Sequence, residues 1–308
     1  MAHDFTNLLN SRVSPRLEQQ FFQESTTGWM ERNSIGVEYR GAKYVYLPEM
    51  IVDGMADYSR TNGFVNGSIS GAKQQFEMTQ DRGRRFPLDY IDADETNFIV
   101  NSASVMAQYN RDWVIPEIDC YRYSKMYAAV NADQPGNIDD TAVTKANLLH
   151  EILTQLAEVR DIAGFNVQMV IIMSGITQQY LGSDWQRTLE MTQLFNGQVN
   201  VRVKGVDGNP VLPVPSARLK SEYQFLDGIT AGQEQGGFKP ADTAKDIKWI
   251  ITPATAPIAC KKRDRIRVFD PDTNQQFDGW AMDHRIYHDL WMTKKGTSAT
   301  YIKTGDIT

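Results

Sequence analysis

Thiols are scarce in this chain: Cys120 and Cys260 are the only two, and neither has a second thiol at metal-ligand spacing. A CxxC redox pair and a cysteine zinc site are therefore excluded, and both residues read as reduced, buried core positions. No apolar run of about 18 residues occurs, and Met1-Ala-His-Asp-Phe5 has neither a basic region nor an apolar one. The sequence thus reads as neither membrane-spanning nor secreted by that route. An excess of positive charge is missing as well. A net charge of −6 argues against a chain that coats nucleic acid by neutralising phosphates. No internal repeat is visible, and 308 residues suffice for a sizeable core in one or two domains.

Enzymatic motifs fail on their spacings. His150-Glu151 starts like a zinc-protease helix, but Thr154 stands where the second histidine belongs. Gly67-Ser-Ile-Ser-Gly71 has Ile69 at the centre, where a nucleophile elbow needs serine. No glycine-rich phosphate loop ends in Lys-Ser/Thr, and no GxGxxG follows a strand. His284 and His288 share one face of a strand beside Asp283 and Asp289, too few ligands for most metal sites, and read as structural. A metal-dependent enzyme built on them is the alternative from a different class. Asp270, Asp272, Asn274, Gln276 and Asp278 copy the odd positions of a calcium loop. Gln275 replaces its glycine and Ala281 its bidentate glutamate, so the segment reads as a solvated acidic hairpin tip. The runs Arg82-Gly-Arg-Arg85 and Lys261-Lys-Arg-Asp-Arg-Ile-Arg267 lack interleaved aromatics, which favours salt bridges to acidic protein surfaces over nucleic acid. No metal and no cofactor is expected.

What is present is a succession of patterns. Residues 1–40 read as an arm with a short helix from Pro15 to Gln23 and sticky points at Phe21, Phe22 and Trp29, which rests on a neighbour or on the body. Residues 41–91 alternate with period two around a glycine-rich centre, the pattern of a long two-stranded ribbon. Such a ribbon is marginal alone and needs something to lie on. Apolar spacing then predicts a helix from Asp94 to Val130, about 55 Å long, kinked near Asp112 by Pro116. A second helix runs from Asp140 to Gly164, and Val167 to Met173 reads as a buried strand followed by a short helix capped by Ser174. Residues 199–214 suggest a hairpin, 226–246 a long mobile loop, and Ile247 to Ile251 a strand. Pro253 to Ala259 reads as a helical turn. A ribbon from Arg265 to Met292 closes the pattern, with a last strand near Tyr301 paired to it. The mixture is of α+β class.

Four segments, in order, resemble the major capsid proteins of tailed bacteriophages and prophages, the Hong Kong 97-like shell proteins. They are Asp81-Arg-Gly-Arg-Arg-Phe-Pro-Leu-Asp-Tyr-Ile-Asp-Ala-Asp-Glu-Thr-Asn-Phe98, Val114-Ile-Pro-Glu-Ile-Asp-Cys-Tyr-Arg-Tyr-Ser-Lys125, Arg267-Val-Phe-Asp-Pro-Asp-Thr-Asn274 and Tyr287-His-Asp-Leu290. The resemblance spans roughly residues 17 to 303 and implies a non-enzymatic fold of five parts. These are an N-terminal arm (1–40), an extended loop (41–91), the spine helix of a peripheral domain (92–131), an axial domain (132–250) and a C-terminal part of the peripheral domain with a β-hairpin (251–308).

It further implies self-assembly through hexamers and pentamers into an icosahedral head enclosing double-stranded DNA, which is held without sequence preference. Expected helpers are a separate scaffolding protein, a portal and decoration proteins. The expected location is the virion, after assembly in the bacterial cytoplasm, with no membrane. An encapsulin-like compartment is the alternative within the same class. Expected contacts between subunits are Phe21, Phe22, Trp29, Arg82, Arg84, Arg85, Asp270, Asp272 and Asp278, with a neighbour's Arg82, Arg84 or Arg85, or a bound cation, neutralising the aspartates where copies of the tip meet. Lys43 and Lys73 carry no motif for covalent cross-linking.

Overall fold

The computed structural model describes residues 24–34, 37–40, 43–61, 63–89, 106–181, 189–196, 199–270, 272–275 and 279–308. Strand β1 (Glu38–Arg40) pairs with β2 (Tyr44–Val52), and β2 pairs in unbroken antiparallel register with β3 (Ile69–Glu77), from Tyr44↔Glu77 to Val52↔Ile69. At about 3.4 Å per residue, these nine-residue strands form a ribbon about 30 Å long. Its base is held by a small core in which Val45 and Met78 meet Ile258, Cys260 and Trp291. The expected ribbon of residues 41–91 is too long. Strand β4 (Gln80–Asp89) leaves it after Met78 and joins a different sheet.

The long helix is present from residue 106 onward as described; residues 94–105 of the expected span lie outside the described residues. It contains a π turn, Asn110–Val114, in which the Ile115 amide donates to the Asn110 carbonyl, and continues as α1 (Ile115–Asp133). Proline at 116 has no amide to offer the Asp112 carbonyl, and a widened turn directly before it makes room for the ring. A widened turn thus stands at the position of the expected kink.

After β5 (Ile138–Asp139), helix α2 (Leu148–Ala163) begins eight residues later than its expected cap at Asp140 and ends at Gly164, whose φ of +96° disfavours a side chain. Strand β6 (Met169–Ser174) is buried on both faces. Helix α3 (Gly175–Tyr180) is capped by Ser174, whose hydroxyl accepts from the Thr177 amide at 3.1 Å. Strands β7 (Leu189–Asn196), β8 (Val199–Val206) and β9 (Asn209–Val214) follow. The turn between the last two places Asp207 at φ +50° and Gly208 at φ +74°, the pair of left-handed residues that a two-residue hairpin demands.

Residues 226–246 are not simply an open loop: β10 (Tyr223–Phe225) and β11 (Phe238–Pro240) pair across their first part. Strand β12 (Trp249–Pro253) precedes β13 (Pro257–Phe269), so the expected helical turn at 253–259 is a three-residue reversal between strands. Strand β14 (Gly279–Met292), helix α4 (Lys294–Ser298) and β15 (Tyr301–Lys303) complete the chain.

These strands form a seven-stranded mixed sheet, ordered β5-β15-β12-β6-β9-β8-β7, and a three-stranded sheet, β13-β14-β4. β15 therefore joins the large sheet and not the C-terminal ribbon. Alternation along β6 explains the layering. Val170 and Ile172 face a core with Tyr123, Met126 and Val130 of α1, whereas Met169, Ile171 and Met173 face Leu148, Ile152, Leu156 and Val159 of α2. One helix covers each face. Cys120 and Cys260 are buried free thiols, as expected, and burial pushes the Cys120 thiol up to about 12. No described helix is long and apolar enough to cross a membrane.

Candidate assembly surface

The amino-terminal segment is attached by buried polar chemistry. The fully buried Asp119 carboxylate of α1 accepts from Ser25 Oγ at 2.8 Å, the Thr26 amide at 3.1 Å, Thr26 Oγ1 at 2.9 Å and Thr27 Oγ1 at 2.6 Å. Arg218 adds a bond at 3.2 Å from the other side. One turn along α1, Arg122 donates to the Thr27 carbonyl at 3.2 Å and to Glu31 at 2.7 Å. Lys261 of β13 approaches Glu31 to 3.4 Å. Burial alone would raise the Glu31 carboxyl, but Arg122 and Lys261 outweigh it and hold it below its ordinary value. Trp29, 4 % exposed, sits in the core on α1 and donates from Nε1 to the Thr26 carbonyl. Within its own subunit, almost none of its side chain is left exposed. Phe21 and Phe22 lie outside the described residues.

The arginines of β4 also belong to their own subunit. Registration against β14 sets Asp81 opposite Tyr287 and Arg85 opposite Asp283. Arg85 Nε lies 2.6 Å from Asp283, which Arg267 also approaches at 3.3 Å, and Arg285 Nε lies 2.8 Å from Asp81. Hydrogen bonds from Arg85 and Arg285 hold the Asp283 and Asp81 carboxyls below the usual range. Arg82 Nε donates to Glu117 of α1 at 2.7 Å, and its other nitrogens donate to the carbonyls of Leu226 and Gly237 at 2.8 and 3.1 Å. One guanidinium thus fastens both ends of loop 226–237. Arg82 and Arg85 thus stand on β4, not on the ribbon, and each has a carboxylate partner within its own subunit. Arg84 differs, being exposed and without an ion pair among the described residues.

At the C-terminal tip, Asp270 caps its own turn, accepting from the Thr273 amide at 3.0 Å and from the Thr273 hydroxyl. Asp272 is exposed, and Asp278 lies outside the described residues. His284 faces Asp264 at 3.1 Å. His288 is buried against Tyr121, ring edge to face at 5.4 Å, and its Nδ1 has no hydrogen-bond partner. Asp289 is occupied by Tyr121 at 2.6 Å and by the Thr79 amide at 2.8 Å. Among the described residues, no three histidines, cysteines or carboxylates come together as metal ligands.

Two exposed features were not singled out from the sequence. The ribbon tip carries Val52, Met55, Tyr58, Phe64 and Val65 in solvent, Phe64 at 86 % exposure, with Tyr58 and Phe64 stacked 4.8 Å apart. The signal was there, as apolar residues scattered among Gly54, Gly63 and Gly67, but glycine-rich composition reads first as loop. The second is a cleft of about 440 Å³ where β4, the start of the long helix and loop 226–237 meet. No periodicity joins residues so far apart in sequence.

No family model and no curated protein sequence matches this chain. Solved structures do. The mature capsid of bacteriophage PhiM1 matches 86% of this chain and 82% of that one, at 12% identity and a TM-score of 0.56. The capsid of cyanophage P-SCSP1u matches 88% and 85% at 12% identity and a TM-score of 0.54. A virus-like particle from Pyrococcus furiosus matches 98% and 100% at 7% identity and a TM-score of 0.51. Over most of its length, this chain has the α+β Hong Kong 97-like capsid fold.

Proposed function

We propose that this chain is a major capsid protein, whose copies assemble through hexamers and pentamers into the icosahedral head of a tailed bacteriophage around double-stranded DNA. The observation that carries the reading is the ribbon. A hydrogen-bonded arm about 30 Å long, ending in exposed Met55, Tyr58, Phe64 and Val65, leaves most of this apolar surface in solvent in its own subunit. Burial against further copies of the chain, repeated around a closed shell, gives that surface a partner. The phage capsid structures of the same fold support this choice. The net charge of −6 suits a container that tolerates packed DNA without gripping it.

On this reading, 1–40 is the arm, 41–91 the extended loop, 92–131 the spine, 132–250 the axial domain and 251–308 the rest of the peripheral domain. A separate scaffolding protein, a portal and decoration proteins are its partners. The protein belongs to the virion, after assembly in the host cytoplasm, and its role is structural and not catalytic. Phe21, Phe22, the β4 arginines and Asp270, Asp272 and Asp278 of the acidic tip remain proposed contacts.

Electron microscopy of the purified protein tests this directly. Closed shells or capsomer rings are expected, and only small monodisperse particles would sink it. The Pyrococcus furiosus match, covering nearly all of both chains, favours a second reading as an encapsulin-like compartment enclosing proteins. Nuclease-protected DNA inside purified particles supports the first reading, and protein cargo supports the second.

A further inference from the structure

The cleft and the ribbon tip carry side chains of complementary chemistry. Phe86, Tyr109 and Trp113 give the cleft an aromatic wall, with Trp113 47 % exposed. The glycine backbone of loop 226–237, kept in place by Arg82 and packed with Gly237 against Trp113, completes the lining. Nearly every charge at its rim is already balanced. Asp81 is held by Arg285, Glu117 by Arg82, and Asp227 by the amides of Ile229 and Thr230 at 2.8 and 2.9 Å. Arg84 is left over: it lines the cleft beside Gly236 and has no ion pair among the described residues.

The ribbon tip carries the complement. Met55 is fully exposed between two acids. Asp53 is used within the tip, accepting from the Ser68 amide at 2.7 Å, whereas Asp57 is exposed and has no ion pair among the described residues. A flexible thioether against aromatic rings is a favourable contact, and a carboxylate two residues away provides the counter-charge for an arginine. A volume of about 440 Å³ accepts such a side chain together with the backbone that carries it. The tip is tied to a straight ribbon paired out to Val52↔Ile69, which keeps it about 30 Å from its own base.

We propose that the cleft beside Arg84 and Trp113 is the seat for Met55 of a second copy's ribbon tip, with Asp57 of that copy paired to Arg84. The pairing rests on the shell reading above and adds to it a defined contact. Arg60 on the same tip makes this a matter of position and not of net charge, so a charge exchange is the sharpest probe.

Particle formation is compared by microscopy for the wild-type chain, Arg84→Asp, Asp57→Arg and the double exchange, with circular dichroism confirming that each is folded. Loss of shells in each single variant and their recovery in the double exchange is expected. An arm independent of that outcome uses the absence of accessible native thiols. Met55→Cys combined with Gln235→Cys, oxidised in assembled particles, is expected to give a ladder of covalent oligomers that neither single cysteine gives. Wild-type shells together with no ladder, or with folded single variants that assemble normally, would overturn the contact and leave the shell reading standing. If the wild-type chain forms no particles at all, both fall.

Discussion

Arg122 and Glu31 meet at 2.7 Å with the guanidinium wholly buried, so a charge pair, and not apolar contact alone, fastens the amino-terminal segment to helix α1. Replacing Glu31 by Gln leaves two cations, Arg122 and Lys261, facing a neutral group. Breaking such a pair from one side costs about 3–5 kcal/mol, read as a fall in the urea midpoint of the unassembled subunit. The acid dependence has a definite sign. Because the folded carboxyl lies below its ordinary value of 4.5, its contribution is complete above that pH and is lost as the pH falls through the lower folded value. Wild-type protein should therefore lose stability below about pH 4.5 more steeply than Glu31→Gln. Equal midpoints for the two proteins at neutral pH would show that the pair holds nothing.

His288 sets a second, higher window. Burial in the first place, then the positive charges of Arg122, Lys261 and Arg82, push its imidazole well below 6.5, against a smaller opposing pull from Asp264. Across β14 it is registered with Lys261 of β13 and Gln80 of β4, and Tyr121 of α1 closes it in. A neutral folded ring and a protonatable unfolded one mean that stability is complete above pH 6.5 and declines as the pH drops toward the folded value. His288→Phe should flatten the thermal midpoint between pH 6.5 and 5 while leaving the carboxylate-dependent loss at lower pH. An unchanged slope in that interval would rule out this assignment.

The sequence made some of this legible and hid the rest for physical reasons. Period two around Val45 and Phe76, the unbroken apolar run at Val170 to Met173 and the helical stripe of Leu148, Ile152 and Leu156 each report a local burial pattern, and each of those stretches has the expected type of element, though the ribbon and helix α2 are shorter than expected. Partner choice is not local. Gln80–Asp89 has the alternation of a ribbon strand, but its partner is β14, some two hundred positions away, and only the register reveals that Arg85 faces Asp283. Trp29 reads as sticky in a polar segment. The fact that Asp119 and Arg122 draw that segment onto the core depends on two helix residues that composition marks as surface. Arg82 likewise shows as one of a basic run, whereas its task is to hold Leu226 and Gly237.

Gly237 offers a test of how tightly loop 226–237 is seated. Its φ is +80°, and a methyl group built there would stand 2.6 Å from the Trp113 ring. Gly232 in the same loop has φ +84° with nothing within 4 Å. Gly232→Ala therefore carries only the left-handed backbone cost of about 1–2 kcal/mol. Gly237→Ala carries that cost and the collision, and Trp113→Ala should relieve the second part in the double variant. Equal unfolding midpoints for the two glycine variants would mean that the loop does not rest on Trp113.

Pro116 concerns the spine itself. In a regular α-helix, residue 116 would donate its amide to the carbonyl of Asp112; proline has none, and its ring would strike that carbonyl. The chain avoids the collision by widening Asn110–Val114 into a π turn, closed by the Ile115 amide on Asn110. Pro116→Ala restores the donor and removes the ring, so the reason for the widened turn disappears. The turn should contract to α register, carrying Tyr109 and Trp113 round the helix and away from the cleft and β4. On the proposed shell reading, pentamers and hexamers need one subunit to fit more than one curvature, and a widened turn is a place where the helix can flex at little cost. The variant should fold with at least the wild-type midpoint but yield fewer closed particles and more open or misshapen ones by electron microscopy. Identical shells with an equally wide turn would make the proline incidental.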